Sequence, residues 1–314
     1  MEMELIFKKI SIVIPVYNSE ASLDILLVRL LSVAKKNDWD FEIVMVDDCS
    51  TDNSWQVLLD LKAKYGGVLK IVRLLNNTGQ HNALLCGFYL STGEVVITMD
   101  DDLQNPPEEI PKLVAPIKQG FSLVIGAYSS KQHSFLRNLS GSLIDWVLKR
   151  IFHLPNDFQL TSFRATRRIV IDNVCQMGRV FPYITAMLLS HSSNYINVAV
   201  RHDPRLYGKT NYNLRRGLTL AANLLFNYSS YPLYFVALMC VLAFLVSVGV
   251  SAKVIYNVTV YGVTVPGWAS TVVIASFFSA ITLLSMVIFG VYISRMNQQF
   301  SRSRVSYMIG ELYE

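Results

Sequence analysis

From Ala221 to Ser294 the chain carries one charged side chain, Lys253. A domain surface facing water does not leave so long a stretch bare of charge, so this feature divides the chain first. Within it lie two apolar runs, about Pro232–Ile255 and Trp268–Ile293. Each exceeds the roughly 20 residues a helix needs to span a bilayer. The loop between them, Tyr256–Gly267, has no Lys or Arg. Arg201, Arg205, Lys209, Arg215 and Arg216 precede the stretch, and Arg295, Arg302 and Arg304 follow it. That asymmetry predicts a two-helix transmembrane hairpin with both basic flanks cytoplasmic. The expected location is then the inner (cytoplasmic) membrane, multi-pass, with the larger part of the chain in the cytoplasm. Buried core helices are the competing reading of the same two runs.

Ahead of the apolar part, short apolar runs alternate with amphipathic segments. Ile10–Val16 is apolar at nearly every position, as in a strand covered on both faces. Phe41–Val46, Leu69–Leu75, Glu94–Met99 and Ser122–Ala127 read as further strands. Glu20–Lys35, Asp52–Tyr65 and Gln80–Leu90 read as helices between them, and Leu136–Phe152 and Arg164–Gln176 as helices beyond. Strand–helix alternation implies an α/β domain with a mainly parallel sheet, whose ligands bind beyond the carboxyl ends of the strands. Asn213–Asn227 places Leu214, Leu218, Ala221, Ala222 and Leu225 on one helical face. That pattern suits either an interfacial amphipathic helix or an ordinary buried one.

Charge and cysteine content exclude several classes. The net charge of +5 is modest and its clusters flank apolar runs, so no nucleic-acid partner is expected. The four cysteines, Cys49, Cys86, Cys175 and Cys240, are scattered, with neither a C-x-x-C pair nor zinc spacing. There is no phosphate loop of the G-x-x-x-x-G-K-[ST] type and no nucleophile elbow.

Two acidic clusters stand at strand ends. Asp47 and Asp48 precede Cys49-Ser50-Thr51-Asp52. Such a pair can hydrogen-bond a base or ribose, while Ser50 or Asp52 can cap the next helix. Asp100-Asp101-Asp102 follows the expected strand Glu94–Met99. Three adjacent carboxylates repel one another unless a cation or solvent relieves them. A hard divalent ion bound through one or two carboxylates and substrate phosphates is one remedy; a solvated acidic loop is the other.

Four segments in order resemble glycosyltransferase family 2: Ile14-Pro15-Val16-Tyr17-Asn18, Val46-Asp47-Asp48-Cys49-Ser50-Thr51-Asp52, Asn77-Thr78-Gly79-Gln80-His81, and Asp100-Asp101-Asp102-Leu103-Gln104-Asn105-Pro106-Pro107-Glu108. The spacing is similar to the branch of polyprenyl-phosphate sugar transferases and covers nearly the whole chain. The resemblance implies a GT-A fold and an inverting transfer of a sugar from a nucleotide-diphosphate donor, expected to be a UDP-sugar. The acceptor it implies is undecaprenyl (polyprenyl) phosphate at the cytoplasmic membrane face, within synthesis of cell-envelope polysaccharide. Another lipid or glycan acceptor on the same fold, or a non-catalytic membrane-anchored nucleotide-sugar binder, is the alternative.

The resemblance assigns donor contacts to Pro15, Tyr17, Glu20, Asp48, Gln80, Asp100 and Asp101, and Mg2+ or Mn2+ to Asp100 and Asp102. It sets Gln104 beside the transferred sugar and lets Asp157 help position the acceptor. Arg205-Leu206-Tyr207-Gly208-Lys209-Thr210-Asn211-Tyr212 resembles the family's R-x-x-G-x-S-K-Y segment, giving Arg205 and Lys209 to the acceptor phosphate. Cys49 stands where the family usually has glycine, and Val291 where Glu is common. The expected domains are a GT-A catalytic domain over 1–210, an interfacial helix over 211–231, two transmembrane helices over 232–294 and a C-terminal tail over 295–314. Expected partners are the nucleotide sugar, the polyprenyl phosphate, the membrane and a homo-oligomer, tetrameric in related proteins.

Overall fold

The computed structural model describes residues 7, 9–128, 145–177, 182–204, 231–261, 267–301 and 307–314. They fall into two compact units, the first ending at residue 204 and regaining residues 307–314, the second made of 231–261 and 267–301.

The first unit is built on an eight-stranded sheet. Strand β1 (Lys9–Val16) is apolar on both faces and buried along almost its whole length. Helices cover both sides of it, which is why its sequence does not alternate. Next come α1 (Leu23–Lys36), β2 (Asp40–Asp47), α2 (Ser54–Tyr65), β3 (Leu69–Leu74), α3 (Gln80–Leu90) and β4 (Val95–Thr98). Helix α1 buries Leu23, Leu26, Leu27, Leu30, Val33 and Ala34, the one-face spacing of a helix docked on a sheet. Helix α3 lies close on β1, and a Cβ at Gly87 would overlap the Val13 side chain. Strands β4, β1, β2 and β3 run parallel, with Val16 opposite Asp47 and Val13 opposite Thr98. Their carboxyl ends therefore deliver the loops after β1, β2 and β4 to one edge of the sheet.

The remaining elements extend the sheet on both sides. Helix α4 (Ile110–Lys118) leads to β5 (Leu123–Tyr128), and residues 145–152 form α5. Then follow β6 (Arg164–Arg167), α6 (Arg168–Gln176), α7 (Ile184–His191) and β7 (Tyr195–Val200). The order is β7-β5-β6-β4-β1-β2-β3-β8, where β8 is Ile309–Tyr313 near the end of the chain. Strand β6 inserts antiparallel between β4 and β5, and β8 pairs antiparallel with β3. The expected helix Arg164–Gln176 thus begins as a strand, because Arg164–Arg167 is held by ladder bonds to Thr98–Val95.

The second unit consists of two long helices, Tyr231–Tyr261 and Trp268–Ser301. They meet at Cys240 and Ser285, whose side chains approach to 3.5 Å. Tyr234, Leu238, Leu283 and Met286 are exposed on them.

Here the sequence expectation is corrected. Among the described residues, no helix is long and apolar enough to cross a membrane. The transmembrane hairpin is not retained in the fold class. With it fall the multi-pass inner-membrane location, the membrane as a partner and the polyprenyl-phosphate acceptor at a membrane face. The expected interfacial helix over 211–231 lies outside the described residues apart from Tyr231, and nothing else supports it.

Candidate functional site

Three loops converge at the carboxyl ends of β1, β2 and β4, and side-chain hydrogen bonds knit them together. From the β1 loop, the Tyr17 and Ser19 groups donate to Asp101, the former through its backbone N–H at 3.2 Å and the latter through its hydroxyl at 2.5 Å. The Asn18 N–H donates to Ser50 at 3.0 Å, and the Ser19 N–H to Ser54 at 2.8 Å. Asn18 and Glu20 reciprocate by accepting from the Thr51 and Asn53 N–H groups at 2.8 and 2.9 Å. Glu20 thus satisfies an orphan donor at the start of α2. Pro15 lies in β1 opposite Val46, one pair before the strands release their loops.

Backbone strain concentrates at the same place. Asn18, Cys49 and Leu103 have φ values of 54°, 59° and 62°. Each sits in one of the three loops, and left-handed backbone at non-glycine residues clusters where a function constrains the chain. Cys49 holds this positive φ with a side chain on the backbone, a conformation that glycine adopts at no steric cost.

Asp48 receives the Thr78 N–H at 2.7 Å, the Thr78 hydroxyl at 3.1 Å and the Gly79 N–H at 2.8 Å. It therefore holds the loop that leads into α3. Burial raises its pKa and these three donors oppose the rise. That placement brings Gln80, the first residue of α3, to Asp100, with 2.6 Å between the amide nitrogen and the carboxylate. The Ser162 hydroxyl donates to the other oxygen of Asp100 at 2.5 Å.

The acidic triplet is consequently not a solvated loop. Asp100 is held above the ordinary carboxylate range by burial first, with repulsion from Asp102 adding to it. Asp101 is pushed up to about 7, again mainly by burial. Three carboxylates this close, two of them shifted upward, form a site that a cation would relieve. Asp100 and Asp102 fit a hard divalent ion bound by two carboxylates, with phosphate oxygens completing its shell. They are not a complete protein cage: among the described residues, no group of three His, Cys, Asp or Glu could hold a metal ion.

On the far side of the triplet, Gln104 links two loops. Its N–H donates to Asp102 at 3.2 Å, and its carbonyl accepts from the Asp203 N–H at 2.9 Å. Its side-chain nitrogen lies 3.3 Å from Nε2 of His202, and the His202 ring stacks on Tyr128 with 4.0 Å between centroids.

Several of these residues were not picked out from the sequence. His202 stands beside Gln104. Arg164 is 3% exposed, and its guanidinium donates to Thr185 at 3.2 Å and weakly to the Ser162 carbonyl at 3.4 Å. Burial lowers its pKa, and its charge lies near enough to Asp100 to favour the carboxylate. His81 packs edge-on against Tyr183 at 4.7 Å, and burial, then Arg164, push it down to about 4. Asp157 is exposed in the loop after α5. Arg205 and Lys209 lie outside the described residues.

Comparison with known proteins places this geometry in context. The model of glycosyl transferase family 2 matches residues 11–183. The undecaprenyl-phosphate 4-deoxy-4-formamido-L-arabinose transferase of Aeromonas hydrophila subsp. hydrophila is 32% identical over 310 residues, covering 97% of this chain and 94% of that one. Glucosyl-3-phosphoglycerate synthase from Mycobacterium tuberculosis, solved with phosphoglyceric acid, superposes with a TM-score of 0.50 at 18% identity over 70% of this chain and 78% of that one. The same enzyme has been solved with Mn2+, UDP-glucose and phosphoglyceric acid, with a TM-score of 0.49 and 19% identity over the same shares. At 18% identity the first of these likenesses speaks for the fold alone.

Proposed function

The chain belongs to glycosyl transferase family 2, and from that premise we propose that it moves a sugar from a nucleotide-diphosphate donor bound at the loops after β1, β2 and β4. The acceptor is a lipid or glycan other than polyprenyl phosphate. That the chain is a glycosyltransferase follows from its family and its curated relative. The observation supporting the site is the meeting of Tyr17, Asp48, Gln80 and the half-buried triplet Asp100–Asp102 at one sheet edge.

In this reading the loops Tyr17–Glu20 and Asp47–Asp52 receive the base and ribose. Asp48 acts through the acceptor site that its three donors leave, since an ionised carboxylate accepts about four bonds. It also fixes the Thr78–Gly79 turn, so that Gln80 reaches Asp100. Asp101 ties the nucleotide loop to the acidic loop through Tyr17 and Ser19. Pro15 and Glu20 act on the donor side by shaping that same loop. Asp100 and Asp102 would hold Mg2+ or Mn2+, which when bound neutralises the diphosphate as it departs. Gln80, Ser162 and Arg164 hold Asp100 in place and charged. Gln104 presents its amide beside the transferred sugar, steadied from the Asp203 side. Asp157, exposed in the loop after α5, is the acceptor-positioning candidate. Arg205 and Lys209 remain candidates for binding an anionic group on the acceptor.

The test is a panel of nucleotide sugars incubated with the full chain and Mn2+, against glycan and lipid acceptors, with sugar transfer read by mass. One donor should be consumed with transfer, and excess chelator should stop it. A protein that neither binds nor consumes any nucleotide sugar refutes the reading.

A further inference from the structure

The last residues of the chain return to the sheet at a particular place. Strand β8 pairs with β3 so that Glu311 stands opposite Arg73, with Leu312 and Tyr313 opposite Val72 and Ile71. The Leu75 N–H, just past β3, donates to the Met308 carbonyl at 2.9 Å. The Tyr313 ring lies 6.1 Å from the ring of Trp55, tilted by 46°, in the first turn of α2. The Arg73 guanidinium lies over that same Trp55 ring, 5.7 Å from its centroid.

Arg73 connects this aromatic pair to the loop after β2. Its Nε lies 3.4 Å from the Asp47 carboxylate, which is wholly buried, and a second nitrogen approaches the Ser50 carbonyl at 3.5 Å. Asp47 in turn accepts the Ser50 N–H at 3.3 Å. Burial pushes the Asp47 carboxyl up, and the bonds from Ser50 and the charge of Arg73 pull it back. The contacts therefore run without a gap from Tyr313 through Trp55 and Arg73 to Asp47 and Ser50. One residue further stands Asp48, and Cys49 in its left-handed conformation lies between Asp48 and Ser50. An aromatic face confines a guanidinium in direction as well as attracting it, so Trp55 limits where Arg73 points.

We infer that the C-terminal strand is a positioning element for the donor nucleotide, with Tyr313 acting through Trp55 and Arg73 on the Asp47–Ser50 loop. This rests on that loop being the nucleotide side of the site. None of the linked residues touches the reacting atoms. Their effect falls on how well the loop is pre-organised to bind, so it appears in donor affinity and not in the chemical step.

The experiment titrates UDP, GDP and dTDP into the full chain with Mn2+, for wild type, Tyr313→Ala, Tyr313→Leu and Tyr313→Phe, and melts each variant. Losing the ring should raise the Kd of the preferred nucleotide roughly three- to tenfold, the size of one aromatic contact. The donor KM should rise in parallel while kcat at saturation holds. Tyr313→Phe should bind like wild type, because only the hydroxyl bond to Glu311 is lost. Tyr313→Leu keeps bulk on the strand and serves if the alanine variant does not fold; it should show the same direction of change. Unchanged nucleotide affinity in both ring-deleted variants overturns the inference, as does a phenylalanine variant as impaired as alanine. Failure of the wild type to bind any nucleoside diphosphate would instead sink the donor reading, and this inference with it.

Discussion

Asp102→Asn is expected to keep the fold and lose roughly a hundredfold or more in turnover, the equivalent of about 3 kcal/mol of transition-state stabilisation. Asp100→Asn should lose as much. The reason lies in what the acidic triplet costs the protein. Asp100 and Asp101 are both held above their ordinary range by burial, and the charges of their neighbours add to it. Removing one charge relieves that repulsion. The melting temperature of Asp102→Asn should therefore stay level or rise while activity collapses. A site kept for function at the expense of stability behaves this way. For Asp100→Asn the gain is smaller, since its carboxylate accepts from both Gln80 and Ser162 and an amide keeps both partners only with the Ser162 hydroxyl turned round to accept. Thermal melts and turnover on the same preparations decide the matter. A fully active variant, or one inactive only because it is unfolded, would count against the assignment.

Glu42→Gln is expected to do the reverse, lowering stability by about 3 kcal/mol at neutral pH while leaving donor selectivity alone. Glu42 stands on β2 opposite Ser11, at the end of the strands away from the site loops. Its side chain is 2% exposed and accepts from Ser11 at 2.6 Å, from the Thr92 N–H at 2.5 Å and its hydroxyl at 2.9 Å, and from Lys9 at 3.0 Å; Lys70 lies 3.3 Å away. Burial alone would raise its pKa, but these donors outweigh it and hold the group at about 2. An unfolded glutamate titrates near 4.3. The stabilisation is thus complete above about 4.3 and disappears as the pH falls toward 2, because the native state must then take up a proton it resists. Melting curves from pH 7 to pH 2 should show the wild type losing its advantage over Glu42→Gln across that window. At pH 7 the variant should melt about 5–10 °C lower. Parallel curves at every pH would refute the role given to Glu42.

How far these features could be read beforehand depends on how local their causes are. The strands Ile10–Val16 and Phe41–Val46 and the helix Gln80–Leu90 were legible because apolar runs and acidic or glycine punctuation mark their ends within the segment. Arg164–Gln176 was misread in its first four residues. A short strand of mixed composition is determined by its partner, here β4, and not by its own periodicity. The same holds for β8, which read as a tail because Ile309–Tyr313 gains its structure only from β3. The long helices near the end were legible as apolar helices. Their reading as membrane spans was not retained, since hydropathy reports a preference for burial without specifying what provides it.

The site divides along similar lines. Resemblance pointed to Tyr17, Asp48, Gln80 and Asp100–Asp102, and folding brings their loops to one edge. It did not tell that Asp48 spends bonds on Thr78 and Gly79, or that Asp101 is the clasp between two loops. Arg164, Ser162 and His202 come from segments 60 to 100 residues away, roughly, and only the antiparallel insertion of β6 and the turn after β7 carry them in.

The central claim is that a nucleotide-sugar donor binds at the carboxyl ends of β1, β2 and β4. A structure of the full chain with Mn2+ and the nucleoside diphosphate of whichever donor supports turnover tests it most directly. The diphosphate should lie against Asp100 and Asp102, with the base between the Tyr17–Glu20 and Asp47–Asp52 loops. A nucleotide bound elsewhere on the first unit, with the acidic triplet making no contact to it through metal or directly, would contradict the account.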